Sequence, residues 1–522
     1  MELKRLFTHN PTNDSIILIC VIRDEHLLLE YFIQHYVKLG VTHFVFVDND
    51  SEDNTIPYLL NKTDIECQVY HTTDSYAKNE YGITWVNEIL DTQCKNKWCV
   101  VVDVDELIMP RNNESLSDIK IKMEQNDQNV LPTCLIDFYP KHLDATPYKS
   151  GNPFYSHSNH YDKFVEDDYM IYPGEGEELV VKGGMRHRVF GANREPVCLT
   201  KKSFFKYDFS ETHKLAVGMH WLLPRDFDHT TNLPWSAYTN WPNMNKHIKL
   251  HPSICVLGHY KFIKPNIYEF FNKRVKRNQD WGDSDEYKNY IKTNPTSFFK
   301  NDVSVQYSSV EKIYADVFDD GINRKELLII ISEQRMGTTT LCEKLDKISH
   351  SVCLYEAFEK TNGRLYSPNG YSDMKTHIEE FVEKTDWVKH NKYISFKIFR
   401  NHFIDWETMC DVLKVDIPKR VVFLKRNLSD SYRSWVCAHT TGNWGTTPER
   451  KLSAEGVTNN KMELDERHTF EEYSSRVERW FEFCLKKTIQ YNIPYIESWF
   501  GSVIHDSFYT RGLLTFKPKS NK

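Results

Sequence analysis

The apolar run Leu327-Leu328-Ile329-Ile330 leads through Ile331-Ser332-Glu333-Gln334-Arg335-Met336-Gly337-Thr338-Thr339-Thr340-Leu341-Cys342 into a helical pattern. A continuous apolar run of this length reads as a buried strand, and the residues after it as a tight loop and a helix start. That commits this half of the chain to a layered α/β structure with a parallel sheet. The loop is suited to a phosphate. Gly337 lets the backbone approach an anion closely, and the amides and hydroxyls of Thr338, Thr339 and Thr340 face it at the positive end of a helix. It is not a Walker A loop, because no Gly-Lys-Ser/Thr closes it and no Lys is placed to reach a terminal phosphate.

With Arg335 at the cationic position, the loop resembles the 5'-phosphosulfate loop of sulfotransferases, usually Arg-Ser-Gly-Thr/Ser-Thr; Met336 stands where that pattern has Ser. About ninety residues on, Arg420-Val421-Val422-Phe423-Leu424-Lys425 reads as a second buried strand, running into Arg426 and, eight positions later, Ser434. Sulfotransferases use an Arg and a Ser at that spacing to grip the 3'-phosphate of PAPS. A guanidinium at a strand end and a hydroxyl on the following helix can converge on one phosphate. The resemblance implies a PAPS site formed by Arg335, Met336, Gly337, Thr338, Thr339, Thr340, Arg426 and Ser434. It also implies Glu356, after Ser351-Val352-Cys353-Leu354-Tyr355, as the base that takes the acceptor proton opposite Arg335. Lys397 falls in a strand whose Lys points to the site in that family, while His402 and His439 read as structural or acceptor-side groups.

The chain has 522 residues, enough for two to four domains, and 40% hydrophobic content supplies real cores. A formal charge of -7 gives no global attraction to nucleic acid or anionic membrane, so anion binding must be local. Twelve cysteines without CxxC pairs read as reduced core thiols and offer no zinc spacing. No apolar stretch comes after Met1-Glu2-Leu3-Lys4-Arg5-Leu6, so neither a signal peptide nor a membrane anchor is expected, and with them absent a cytoplasmic setting is expected.

In the first half, 15–22 is a buried strand, 25–39 a helix closed by Gly40, and 43–47 and 98–102 further strands. The last two end in the acidic clusters Asp48-Asn49-Asp50 and Asp103-Val104-Asp105. Strand carboxyl ends are where a parallel α/β sheet binds ligands. Two carboxylates leaving a strand at this spacing suit Mg2+ or Mn2+ shared with a diphosphate.

The segments Cys20-Val21-Ile22-Arg23-Asp24-Glu25 and Gly40-Val41-Thr42 through Asp48-Asn49-Asp50-Ser51 resemble the opening of family-two-like glycosyltransferases of the GT-A fold. Leu135-Ile136-Asp137-Phe138-Tyr139-Pro140, Lys182-Gly183-Gly184-Met185-Arg186-His187-Arg188 and Gly258-His259-Tyr260-Lys261-Phe262 extend the resemblance to roughly 14–280. It implies Arg23, Asp48, Asp50 and Asp103 on the nucleotide sugar, and Asp103, Asp105 and His259 around the metal. An Asx turn is the competing reading of Asp48 and Asp50, and a core histidine that of His259. Asp162 and Glu166 are the candidate bases. A helix over 264–290 ends at Asn294-Pro295-Thr296, and the sequence beyond it is polar.

The expectation is therefore two α/β domains: a GT-A glycosyltransferase domain over 1–300, a linker over 301–324, and a PAPS-dependent sulfotransferase domain over 325–522. Together they would modify one carbohydrate or glycoconjugate acceptor. Two alternatives stand beside it: a glycosyltransferase fused to a P-loop kinase, and a glycan-binding scaffold with decayed sites.

Overall fold

The computed structural model describes residues 1–143, 146–165, 168–173, 179–191, 197–216, 218–225, 247–278, 284–322, 325–333, 336, 338–345, 351–355, 358, 374–385, 392–402, 406–441 and 469–499. The chain forms two compact units, Met1–Asn323 and Arg324–Lys522.

The first unit is built on strands β1 (Glu2–Arg5), β2 (Ile16–Ile22), β3 (His43–Asp48), β4 (Glu66–His71), β5 (Trp98–Val101), β6 (Glu106–Met109) and β7 (Val130–Asp137). After these come the shorter β8 (His160–Asp162), β9 (Tyr169–Pro173) and β10 (Leu179–Gly183). The last are β11 (Thr200–Lys206), β12 (His213–Ala216), β13 (Trp221–Pro224), β14 (Cys255–His259) and β15 (Ser304–Gln306). Nine of these form one sheet in the order β1-β4-β3-β2-β5-β11-β7-β14-β6. Strands β4, β3, β2 and β5 run parallel, as does the β7 and β14 pair. β11 joins these two blocks antiparallel to both, so the sheet is mixed rather than the parallel one expected.

The pleat of β2 explains why this sheet is covered on both faces. Ile16, Leu18, Cys20 and Ile22 enter one core, with Phe32 and Tyr36 of helix His26–Lys38 and Leu116 and Met123 of helix Leu116–Gln125. Ile17 and Ile19 enter another, with Trp85, Val86 and Leu90 of helix Ile83–Gln93. Alternate residues feeding two cores leave no polar position on the strand, which is why it reads as a continuous apolar run.

The structure corrects two expectations about the chain between 264 and 324. The stretch expected as a linker is part of the first unit: β15 pairs with β8, and Ile313, Tyr314, Val317 and Phe318 fill the core that holds Leu18. The single helix expected over 264–290 is two, Ile267–Arg277 and Asp285–Thr293, because Asn278 and Ser284 take left-handed backbone conformations that a helix interior does not accept.

In the second unit, β16 (Glu326–Ile331), β17 (Ser351–Cys353), β18 (Tyr393–Ile398), β19 (Lys419–Lys425) and β20 (Tyr495–Trp499) form a fully parallel sheet, ordered β17-β18-β16-β19-β20. Again the central strand feeds two cores. Leu327, Ile329 and Ile331 pack with Ile378, Met409, Trp480 and Cys484, while Leu328 and Ile330 pack with Leu341, Cys342 and Leu345 of helix Thr338–Leu345. The eleven cysteines whose side chains are described are all buried, and none of them is in a disulfide. Among the described residues no helix is long and apolar enough to cross a membrane.

Candidate active site

A cleft of about 200 Å³ opens where β2, β5 and β14 end. From just after β2 it takes Arg23 and Glu25, from the turn after β5 Asp103 and Asp105, and from the end of β14 His259. Lys261, Lys264, Arg274 and Arg277, on and before helix Ile267–Arg277, complete its wall.

Sheet register supplies the innermost row. His259 lies opposite Asp137 on parallel β7 and opposite Glu106 on antiparallel β6. In-register neighbours place their side chains on one face, and His259 Nδ1 is 2.6 Å from Asp137 Oδ1. Arg186 Nε donates to the other Asp137 oxygen at 3.0 Å. Burial alone would raise Asp137, but Arg186 and His259 hold it down at about 2. On the other side of the ring, His259 Nε2 lies 3.8 Å from Asp105 Oδ2. A Cβ at the adjacent Gly258 would stand 2.8 Å from Met109 Sδ and 3.2 Å from the Tyr260 ring, so a larger residue there would make these side chains shift.

The chain does not leave β5 extended, as a simple Asp-x-Asp pattern would suggest. Glu106 N–H donates to Asp103 O at 3.0 Å and Asp103 N–H to Glu106 Oε2 at 3.1 Å, closing a turn over 103–106. Lys201 of β11, buried, donates to both Glu106 oxygens at 2.6 and 2.9 Å and lies 3.6 Å from Asp103. Burial opposes its charge, but Glu106 and Asp103 hold its ammonium above the usual lysine range. Among the described residues no group of three His, Cys, Asp or Glu side chains is placed to hold a metal ion. Of the expected set Asp103, Asp105 and His259, the structure sets Asp105 3.8 Å from His259 and Asp103 3.6 Å from Lys201.

Asp48 is 0% exposed: one oxygen accepts from Ser51 N–H at 3.2 Å and lies 2.9 Å from His71 Nδ1. It closes a turn instead of lining the cleft. Asp50 is exposed, 3.9 Å from Arg23. Asp162 is no free base, because its oxygens accept from Arg188 at 2.6 and 3.0 Å and from Tyr139. Glu166 lies outside the described residues.

Glu25, to which no motif assigns a role, is paired with Lys264 in the cleft. Burial pushes its carboxyl up to about 7 against the pull of Lys264. The two buried acids bear on stability with opposite signs. Asp137, depressed when folded, stabilises fully above about pH 4 and loses that contribution as pH falls through about 2; Glu25, raised when folded, loses its contribution as pH rises through about 7. The first unit is therefore expected to lose stability on the acid side below about pH 4. Denaturation midpoints across pH 2 to 6 check this, and an Asp137→Asn variant with the same acid limb would assign the effect elsewhere.

In the second unit β16 lies between β18 and β19, with Ile331 opposite Ile398 and Phe423. This brings the strand ends that precede the Thr338 segment and Arg426 side by side. Lys397 Nζ donates to Thr339 Oγ1 at 3.1 Å at the start of helix Thr338–Leu345, where Thr338 is buried and Thr340 half-buried. Arg426 and Ser434 are half-buried, the latter on helix Leu428–Thr441. Arg335, Gly337, Glu356 and the His439 side chain lie outside the described residues, and His402 is a buried group whose Nδ1 accepts from Phe399 N–H at 3.3 Å.

The structure gives the Met336 side chain a packing role. Its side chain is fully buried against Trp435, Val436, Tyr473 and Val477, so only backbone atoms there could meet a phosphate. Met336→Ser, although it restores the hydroxyl of the sulfotransferase pattern, is expected to destabilise the second unit by about 2 to 5 kcal/mol. Chemical denaturation of the full chain reads this as an earlier second-unit transition.

Residues 19–160 match the family model described as "Glycosyltransferase family 92", so a glycosyltransferase-family domain lies within the first unit. The match is to family 92 rather than to the family-two-like group, and it does not extend into the second unit. A search of curated proteins found no match. Among solved structures, 4-diphosphocytidyl-2C-methyl-D-erythritol synthase is 13% identical, over 26% of this chain and 66% of that one, with a TM-score of 0.18. The inositol-1-phosphate CTP transferase from T. maritima is 9% identical, over 55% and 99%, at 0.25. GalNAc-T7 with UDP, GalNAc and Mn2+ is 11% identical, over 54% and 55%, at 0.25. At these TM-scores the likenesses carry no argument about fold or function.

Sequence patterns alone do not single out Lys201, Lys264, Arg274 or Arg277. Asp137 carries a usable signal, being a charge inside an otherwise strand-like run, where an unpaired charge is too costly to bury.

Proposed function

We propose that the first unit transfers a glycosyl group from a nucleoside-diphosphate sugar to a carbohydrate hydroxyl in the β2, β5 and β14 cleft. The observation that carries this reading is the cleft itself, since its acidic residues Glu25, Asp103 and Asp105 all lie within the segment matching family 92. Asp105 and His259 fit Mn2+ or Mg2+, since an imidazole nitrogen 3.8 Å from a carboxylate oxygen is favourable with a cation between them. When bound, such an ion neutralises charge on the departing diphosphate. Asp137 and Arg186 fix the ring of His259, Lys201 fixes Asp103, and Glu25 is the cleft group suited to take the acceptor proton near neutral pH. A screen of UDP- and GDP-sugars with and without EDTA tests this. Donor hydrolysis that needs the metal is expected, and no turnover or binding with any nucleotide sugar would overturn the reading.

For the second unit we propose sulfuryl transfer from PAPS. It is supported by the adjacency of β16 and β19, which brings the Thr338 to Thr340 segment and Arg426 to one end of a parallel sheet. Calorimetry on the full chain with PAP and ATP decides it, since tighter ATP binding would favour the kinase reading.

A further inference from the structure

The cleft wall opposite Asp105 is unusually basic for a site whose metal pair already attracts a diphosphate. Five cations and three carboxylates line the cleft among the described residues. Arg274 and Arg277 lie three apart on helix Ile267–Arg277, hence on one face. Each is held in place from behind. Arg277 Nη2 donates to Asp24 Oδ2 at 2.8 Å, and Arg274 donates to Tyr287 Oη at 3.3 Å with its guanidinium 5.3 Å from that ring. Lys264 Nζ donates to Asp24 O at 3.2 Å and pairs with Glu25. From just after β2 comes Arg23, whose Nε is buried with no hydrogen-bond partner. Guanidinium groups oriented in advance are good phosphate ligands, because little side-chain freedom is lost when the anion arrives.

We infer that Arg23, Arg274 and Arg277 form a diphosphate subsite of their own, so that a nucleoside diphosphate binds this protein without a metal ion. The inference rests on the nucleotide-sugar reading above and deepens it. It assigns the metal pair to turnover and the basic wall to donor recognition. The competing account is structural: the same ion pairs would only tie helix Ile267–Arg277 to the loop after β2.

Calorimetry in EDTA separates these accounts, using uridine, UMP, UDP and inorganic pyrophosphate, and the guanine series in parallel. In the wild-type protein, UDP or GDP is expected to bind, and pyrophosphate to displace it. In the Arg274→Gln, Arg277→Gln double variant the diphosphate should weaken at least tenfold, with the nucleoside unchanged. Equal weakening of nucleoside, monophosphate and diphosphate would overturn the subsite, as would diphosphate binding that appears only with Mn2+. Should the double variant melt early, the wild-type pyrophosphate competition still decides the question. Absence of any nucleotide binding, with or without Mn2+, would remove the underlying reading as well.

Discussion

Asp105→Ala is expected to lower glycosyl transfer by about 100-fold or more while leaving the melting temperature of the first unit nearly unchanged. The side chain is one-quarter exposed and faces the cleft, whereas its structural contribution is a backbone carbonyl that accepts from Tyr260 N–H at 2.8 Å and survives the substitution. Asp103→Ala should cost less in turnover, because Asp103 is already countered by Lys201, but it should disturb the buried Lys201 and Glu106 pair. Donor hydrolysis and acceptor transfer, measured with and without Mn2+, check both. If Asp105→Ala retains metal-dependent turnover, the ion is held elsewhere.

The second large effect is on stability. Arg186→Leu is expected to destabilise the first unit by about 3 to 5 kcal/mol, the usual consequence of removing one partner from a buried ion pair. Arg186 is 6% exposed and bridges Asp137 at 3.0 Å and Glu286 at 3.2 Å, so its loss strands two carboxylates. Lys261, 3.0 Å from Glu286, limits the damage on that side, while among the described residues Asp137 keeps His259 as its side-chain partner. Denaturant unfolding reads the loss. The Arg186→Leu, Asp137→Leu double variant should recover part of it, and full additivity of the two single effects would show that the pair is not coupled.

Much of the α/β framework is legible in the sequence because it is local. The strands near 16–22, 43–48 and 98–101 announce themselves as apolar runs, and the acidic clusters come directly at their carboxyl ends. The illegible part depends on pairing between distant segments. Arg186 and His259 stand 49 and 122 positions from Asp137 in the chain, yet the three share one hydrogen-bonded group. In the sequence each sits inside a separate family-like segment, with no reason given for Asp137 or Arg186, and their contact supplies it. The antiparallel insertion of β11 is invisible for the same reason, and with it Lys201. Residues 301–322 read as linker because they are polar overall, though the few apolar residues among them fill the first core. In the second unit strand and helix alternation anticipates the parallel sheet, but a hydroxyl-to-thioether exchange at Met336 hides a packing residue inside a phosphate-loop pattern.

The row of Glu106, His259 and Asp137 across β6, β14 and β7 ties chemistry to strand alignment. Slipping β14 by a single residue would turn His259 to the opposite face of the sheet and empty the site, even if most apolar contacts found substitutes. Because β14 begins at Cys255, the row cannot exist on a nascent chain until that segment has been made and docked between β7 and β6. A fragment confined to 19–160, the part that carries the family signature, would hold the acids without the imidazole that completes them. On the proposed reading the family-matching segment is therefore shorter than the chain the site needs, and truncation for expression should be planned from the strand order instead of from the family boundary.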